Sequence, residues 1–159
     1  MSKIVLFALA LGLGAPVFAA PGHGHSPHGG AAHGATATDG RPGNPAEAAR
    51  TVRIETHEND YSVKQIQVKA GETIRFVVTN VSYEPHEFGI ASPQEHEQHR
   101  AMMKEMPDMK HDEPNVVTVM PGETKELVWK FGRDSNVEFA CNIPGHSERG
   151  MIGKFRVVR

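Results

Sequence analysis

The chain has 159 residues, of which 38% are hydrophobic and 23% charged, and its formal net charge is −2 at pH 7. A charge balance this close to neutral indicates neither nucleic acid nor an anionic membrane as a partner. After the first residues, no stretch approaches the roughly 20 apolar residues that a membrane helix needs, so we expect no membrane span.

The N-terminus predicts an export signal. Lys3 precedes an apolar run over residues 4–13, and small residues follow at Ala19 and Ala20. This is the pattern of a secretory signal peptide, which we assign to residues 1–19 because cleavage after Ala20 would leave Pro21 beside the cleaved bond. The sequence therefore predicts an exported protein located in the periplasm.

Residues 20–50 have the composition of a disordered arm. They are rich in Gly, Pro, Ala and His and contain no large aliphatic or aromatic side chain, so they cannot bury a core. The histidines of this arm either bind Cu(II), Ni(II) or Zn(II) weakly or belong to a solvated linker. They are His23, His25, His28 and His33.

Residues 51–159 have the size of one domain and the pattern of β-strands. Apolar residues alternate with polar ones, as at Ile74, Phe76 and Val78, which predicts strands with one buried face. Seven or eight such strands predict an all-β antiparallel sandwich or barrel. The runs are TVRIETHE, YSVKQIQVKA, ETIRFVVTNV, HEFGIAS, NVVTVM, KELVWKF, VEFAC and IGKFRVV.

One helix interrupts this pattern, at about residues 93–106. Ser92 is in the N-cap position, Pro93 is in the first helical position, and Glu95 completes a capping box three residues after the cap. Pro107 ends the helix. The sequence therefore predicts a single helix inserted between two strands.

The only cysteine, Cys141, follows a predicted strand and begins the segment CNIPGHSERGM. An exposed thiol would oxidise after export, whereas a metal holds the thiolate and shields it. Pro144 and Gly145 turn the chain before His146, and Met151 precedes the next strand. Sulfur ligands with imidazole select copper, and His86 in YEPHEF can supply a second imidazole.

The segments EPHEFGI and FACNIPGHSERGMIGKFRV resemble those of the cupredoxins, the small blue-copper proteins that include plastocyanin and azurin. The resemblance implies a Greek-key β-sandwich with one type 1 copper. It also implies that His86, Cys141 and His146 are the equatorial ligands and Met151 the weak axial ligand. Glu87 stands where many cupredoxins have Asn, so the usual hydrogen bonding around the cysteine sulfur is not carried over.

The helix and the histidine arm lie outside the basic cupredoxin pattern and are similar to the additions of periplasmic cupredoxins associated with copper tolerance. Ala140 and Asn142 flank the cysteine, where multicopper oxidases and copper nitrite reductases use histidine. Because all four ligands belong to the protein, the copper has no evident open position for a substrate, so we expect one-electron transfer rather than catalysis. A cuprous oxidase activity is the remaining alternative. The expected protein is a monomer whose redox partner is a protein such as a cytochrome or a copper oxidase.

The competing interpretation is a protein that sequesters or delivers copper through additional sites. Thioethers and imidazoles suit Cu(I), and several of them lie within one arc of the predicted helix. The same methionines serve equally well to pack the helix onto the sandwich, because the helix has no Leu, Ile, Val or Phe. The residues of this second copper site are His96, His99, Met103 and Met106, with Met102, Met109 and His111 beside them.

Overall fold

The computed structural model describes residues 40–106, 113–133 and 136–158. The predicted signal peptide and the four arm histidines lie outside these residues and remain predictions. Within the described ranges the chain forms ten strands and one α-helix. The strands are β1 Gly40–Pro42, β2 Arg50–His57, β3 Asp60–Tyr61, β4 Gln65–Lys69, β5 Thr73–Asn80, β6 His86–Ala91, β7 Val116–Val119, β8 Thr124–Phe131, β9 Glu138–Ala140 and β10 Ile152–Val158.

The strands form two five-stranded sheets, with the orders β1-β8-β5-β2-β3 and β4-β10-β9-β6-β7. The apolar faces of both sheets contribute to one buried core. Phe76 of the first sheet has its ring centroid 5.3 Å from that of Phe88 and 5.8 Å from that of Phe155, both in the second sheet. The predicted all-β sandwich is therefore confirmed, but its strand pairing is mixed rather than wholly antiparallel, because β2 pairs with β5 and β4 with β10 in parallel.

The number of strands is higher than the seven or eight predicted. The additional strands are β1 and β3, of three and two residues. Strands this short contain too few residues for an alternating pattern, and the equally short β9 was predicted only because it lies within the longer run VEFAC. Each of the eight predicted runs overlaps one of the remaining strands, with boundaries that differ by one residue at β2 and β8.

The ordered fold also begins earlier than residue 51. Strand β1 pairs with β8 in the register Gly40↔Phe131, and a short 3-10 helix follows at Pro45–Glu47. The predicted disordered arm, residues 20–50, is thus too long at its C-terminal end. Strand pairing uses backbone groups, so this segment joins the sheet without the large apolar side chains whose absence predicted disorder.

The single helix, α1, spans Pro93–Glu105 and connects β6 to β7, as predicted. Its capping box is formed, with Ser92 and Glu95 bonding to each other's main-chain N–H groups. The helix packs on β6: a Cβ added at Gly89 would lie 3.4 Å from His96 Cε1. Among the described residues, no helix combines the length and apolar character needed to cross a bilayer.

Candidate metal centre

The segment that carries the lone cysteine is the loop of residues 141–151, between β9 and β10. Main-chain hydrogen bonds close it at both ends: Cys141 N–H donates to Met151 O at 3.2 Å, and Met151 N–H donates to His146 O at 3.0 Å. Gly145, with φ of 89°, supplies the left-handed conformation that turns the chain just before His146. The backbone of the loop therefore holds Cys141, His146 and Met151 close together.

His86 comes to this loop from the start of β6. Its Nε2 lies 2.8 Å from Ser82 Oγ. The Ser82 hydroxyl has oxygen acceptors at Asn80 Oδ1, 2.8 Å away, and at the Glu84 carbonyl. With the His86 proton on Nε2, Ser82 Oγ accepts that N–H and donates its own proton to one of these oxygens. This tautomer leaves the Nδ1 lone pair of His86 facing the loop.

Three predicted ligands converge. His86 Nδ1 lies 3.1 Å from His146 Nδ1, and Cys141 Sγ lies 3.4 Å from the same His146 atom. The candidate ligand atoms of the three residues all lie within 4.8 Å of one another. In the part of the chain that the structure describes, no other group of three or more His, Cys, Asp or Glu side chains converges in this way.

Burial sets the protonation state of these side chains. It raises the pKa of the Cys141 thiol to about 12. Burial and the neighbouring His146 ring lower the pKa of His86 to about 4, and burial and the Arg149 guanidinium lower the pKa of His146. At neutral pH the metal-free site therefore holds a thiol and two neutral imidazoles, and metal binding must displace the thiol proton.

This donor set fits a copper ion. The outer nitrogen of His146, Nε2, lies 3.7 Å from the Glu84 carboxylate, which favours the tautomer protonated at that nitrogen. Two unprotonated Nδ1 atoms then face each other, and their lone pairs repel unless a cation lies between them. A thiolate beside two imidazoles is a set that selects copper over harder ions. Met151, fully buried at the end of the loop, is the available thioether.

Other residues hold the ligands in place. The main-chain N–H of Glu87 donates to Cys141 Sγ at 3.3 Å, and the Ser147 hydroxyl donates to the Cys141 carbonyl. Together with Ser82, these contacts orient Cys141 and His86. Neither Ser82 nor Ser147 was predicted from the sequence, because an isolated serine in a loop has no pattern that distinguishes it.

The helix histidines contact residues that are neighbours of the ligands. The Nδ1 atom of His96 lies 3.2 Å from Asn142 Oδ1, and its Nε2 lies 3.4 Å from the Glu138 carbonyl. Burial lowers the pKa of His96 to about 4, so its ring is neutral. The Nε2 atom of His99 lies 3.6 Å from the Glu87 carboxylate. Both rings are buried between the helix and the sheet.

The methionines of the predicted second site have different environments. Met103 is buried and Met102 half-buried, whereas Met106 is 39% exposed. The burial of Met103 agrees with the packing role that the sequence left open, whereas Met106 is accessible. Met109 and His111 lie outside the described residues, so the second copper site remains a prediction.

Comparisons with known proteins agree with this centre. The family model for copper-binding proteins of the plastocyanin/azurin family matches residues 48–158. The copper-resistant cuproprotein CopI of Rubrivivax gelatinosus is 44% identical over 136 residues, which cover 84% of this chain and 82% of that protein. CopI of Vibrio cholerae is 42% identical over 116 residues, which cover 71% of this chain and 68% of that protein.

Solved structures show the same fold. Auracyanin B superposes with a TM-score of 0.63 at 16% identity, covering 77% of this chain and 99% of that one. An azurin of Methylomonas sp. strain J gives 0.53 at 16% identity, covering 70% and 100%. The chain therefore belongs to the plastocyanin/azurin family of copper-binding proteins, the cupredoxins, in which it groups with the CopI proteins, and its cofactor is copper.

Proposed function

We propose that this chain is an exported type 1 copper protein that transfers single electrons and contributes to copper tolerance. His86, Cys141 and His146 would hold the copper, and Met151 would supply a fourth, weaker ligand. The observation that carries the proposal is the buried convergence of two imidazoles and the lone thiol in a cupredoxin fold. The predicted signal peptide supports the periplasm as its location.

The chain's own residues prepare this site for electron transfer. Copper, when bound, supplies the one-electron redox chemistry. Side chains of His86, Cys141 and Met151 have no exposed surface, and His146 is 5% exposed, so the protein excludes water from the ligands. Two paired strands, β9 and β10, anchor the loop at both ends. Such anchoring would limit the movement of the ligands when a bound copper changes oxidation state, and the slightly exposed His146 is the ligand that a redox partner protein could approach.

The role in copper tolerance is supported by the relatives. Three curated proteins that match this chain carry the name copper-resistant cuproprotein. An exported protein with a buried copper site can bind copper ions outside the cytoplasm. It can also accept electrons from reactive Cu(I) there. The physiological redox partner is expected to be a cytochrome or a copper oxidase.

Two experiments test this function. The purified protein is loaded with Cu(II), and its visible spectrum is recorded. We expect an intense band from charge transfer between the Cys141 thiolate and Cu(II), and a colourless loaded protein would contradict the type 1 site. A strain lacking the gene is then grown in increasing copper with and without a plasmid copy. Equal growth of the two strains would contradict a role in tolerance.

Replacement of Met151 with Leu tests the axial position. We expect the visible band to remain, because the thiolate and both imidazoles are retained. The reduction potential should rise, because loss of the axial donor disfavours Cu(II). Redox titration of both proteins measures the difference. An unchanged potential would show that Met151 is not an axial ligand.

A second candidate function, copper sequestration or delivery, is favoured by the accessible Met106 on the helix. It requires more than one Cu(I) per chain. The test replaces Met102, Met106 and Met109 with Leu, which conserves volume and leaves the buried helix histidines unchanged. The control is Met120→Leu, because Met120 is about as exposed as Met106, at 40%, but lies away from the helix, directly after β7.

If the helix binds copper, the triple variant should bind fewer Cu(I) ions than the wild type and the Met120→Leu control, with its visible band intact. Cu(I) is counted by competition with a coloured chelator. If all three proteins bind the same number of Cu(I) ions, these methionines do not bind copper and are packing or solvent-exposed residues. Copper tolerance would then depend on the type 1 site or on the histidine arm.

A further inference from the structure

A buried carboxylate lies next to the copper ligands. Glu87 follows His86 in β6 and is only 1% exposed. Its Oε2 accepts the main-chain N–H of Asn142 at 3.3 Å and lies 3.6 Å from Nε2 of His99 on the helix. Among the described residues, its Oε1 has no hydrogen-bond partner. Glu87 therefore connects the first histidine ligand, the cysteine loop and the inserted helix.

Hydrogen bonding alone does not explain a carboxylate at this position. Burial of a carboxylate costs free energy unless it is paired and hydrogen-bonded. An amide oxygen can accept the Asn142 N–H equally well, and many cupredoxins have Asn at this position. The difference that Glu87 introduces is its charge, which His99 faces from the helix.

We propose that Glu87, held by His99, is a positioning residue that lowers the reduction potential of the copper. This inference rests on the proposed type 1 site. Reduction adds one electron from the partner protein to Cu(II) and gives Cu(I), with no bond made or broken and no proton moved. The site thus loses one positive charge, and a nearby negative charge favours the oxidised state. Solvent ions screen this interaction weakly, because Glu87 is buried.

The contact between His99 and Glu87 also gives the inserted helix a role in setting the reduction potential. The helix is anchored to the cysteine loop by His96, which contacts Asn142, and to β6 by His99, which contacts Glu87. Asn142 is bonded to both Glu87 and His96 and directly follows Cys141. These contacts restrict the movement of the Glu87 carboxylate relative to Cys141.

The test compares Glu87→Gln with Glu97→Gln. Gln is nearly isosteric with Glu and retains the acceptor for Asn142. Glu97 lies on the inserted helix, close to Glu87 in sequence, but is exposed and paired with Arg100, so it serves as the control for loss of a carboxylate charge. We expect Glu87→Gln to retain the visible band and to raise the Cu(I)/Cu(II) ratio at a fixed ambient potential about tenfold or more. The control should have the wild-type ratio.

A double-mutant cycle tests the contribution of His99. If His99 holds the carboxylate, the effect of Glu87→Gln on the potential should differ between the wild-type and the His99→Gln backgrounds. Additive effects would show that His99 does not act through Glu87. Glu87→Asn, which introduces the residue of many cupredoxins, replaces Glu87→Gln if the latter does not fold.

The outcomes separate this inference from the proposed function. A wild-type protein without the visible band would contradict the type 1 site itself. A wild-type protein with the band, combined with an unchanged or lowered potential in the Glu87 variants, would overturn only the role of Glu87. An equal rise of the potential in the Glu97→Gln control would also overturn it, because the loss of any carboxylate charge would then raise the potential.

Discussion

Replacement of Cys141 with Ser is expected to abolish the intense visible absorption of the Cu(II)-loaded protein while the sandwich remains folded. The band arises from the thiolate, and a hydroxyl is a much poorer copper ligand. The change removes little volume, and the Glu87 N–H that donates to Sγ at 3.3 Å can donate to the serine oxygen instead. We expect a loss of about 1–2 kcal/mol in the free energy of unfolding, mainly from burying the hydroxyl.

Visible spectroscopy and circular dichroism of the same samples measure both effects. The control is His57→Gln, because His57 is an exposed histidine of β2 outside the site. This control should have the wild-type spectrum. A Cys141→Ser protein that is folded and still strongly coloured would show that the band does not originate from this thiolate, and the ligand assignment would be wrong.

The largest expected effect on stability comes from Gly153→Ala. Gly153 of β10 is paired with Phe139 of β9, and a Cβ at this glycine would lie 2.0 Å from Phe139 Cζ. The Phe139 ring is fully buried, and its centroid lies 5.2 Å from that of Tyr61 and 5.1 Å from that of Phe155, so it has no space to move away. Overpacking of this kind should destabilise the fold by about 2–3 kcal/mol.

Urea denaturation measures the loss, and two variants test its cause. A Leu at position 139 removes the ring that the new methyl group meets, so Phe139→Leu should cost less stability in the Gly153→Ala background than alone. Gly122→Ala serves as a control, because its Cβ would meet nothing within 4 Å and only its φ of 75° opposes the change. It should cost about 1 kcal/mol. Equal losses at Gly153 and Gly122 would contradict a steric clash.

The Gly153 variant should also weaken copper binding. Strand β9 ends at Ala140, directly before Cys141, and β10 begins directly after Met151. Separation of the two strands would therefore move both ends of the ligand loop.

Local patterns in the sequence were sufficient for Cys141, His146 and most of the fold, whereas His86 was predicted through the resemblance of EPHEFGI to the cupredoxins. Cys141 and His146 lie close together along the chain, with a Pro and a Gly between them, and a short turn can bring such neighbours together whatever surrounds them. The helix was equally predictable, because a capping box involves only residues of its own first turn. Alternation identified the longer strands, since burial of one sheet face has a period of two residues.

Contacts between distant segments were decided only by the tertiary structure. Strand β1 joins the sheet through backbone pairing with β8, which leaves no apolar pattern in its sequence. His96 and His99 had the spacing of metal ligands on a helix, yet they lie against Asn142 and Glu87. The partner of a polar side chain depends on which distant residue folding places opposite it, and neither residue type nor local spacing contains that information.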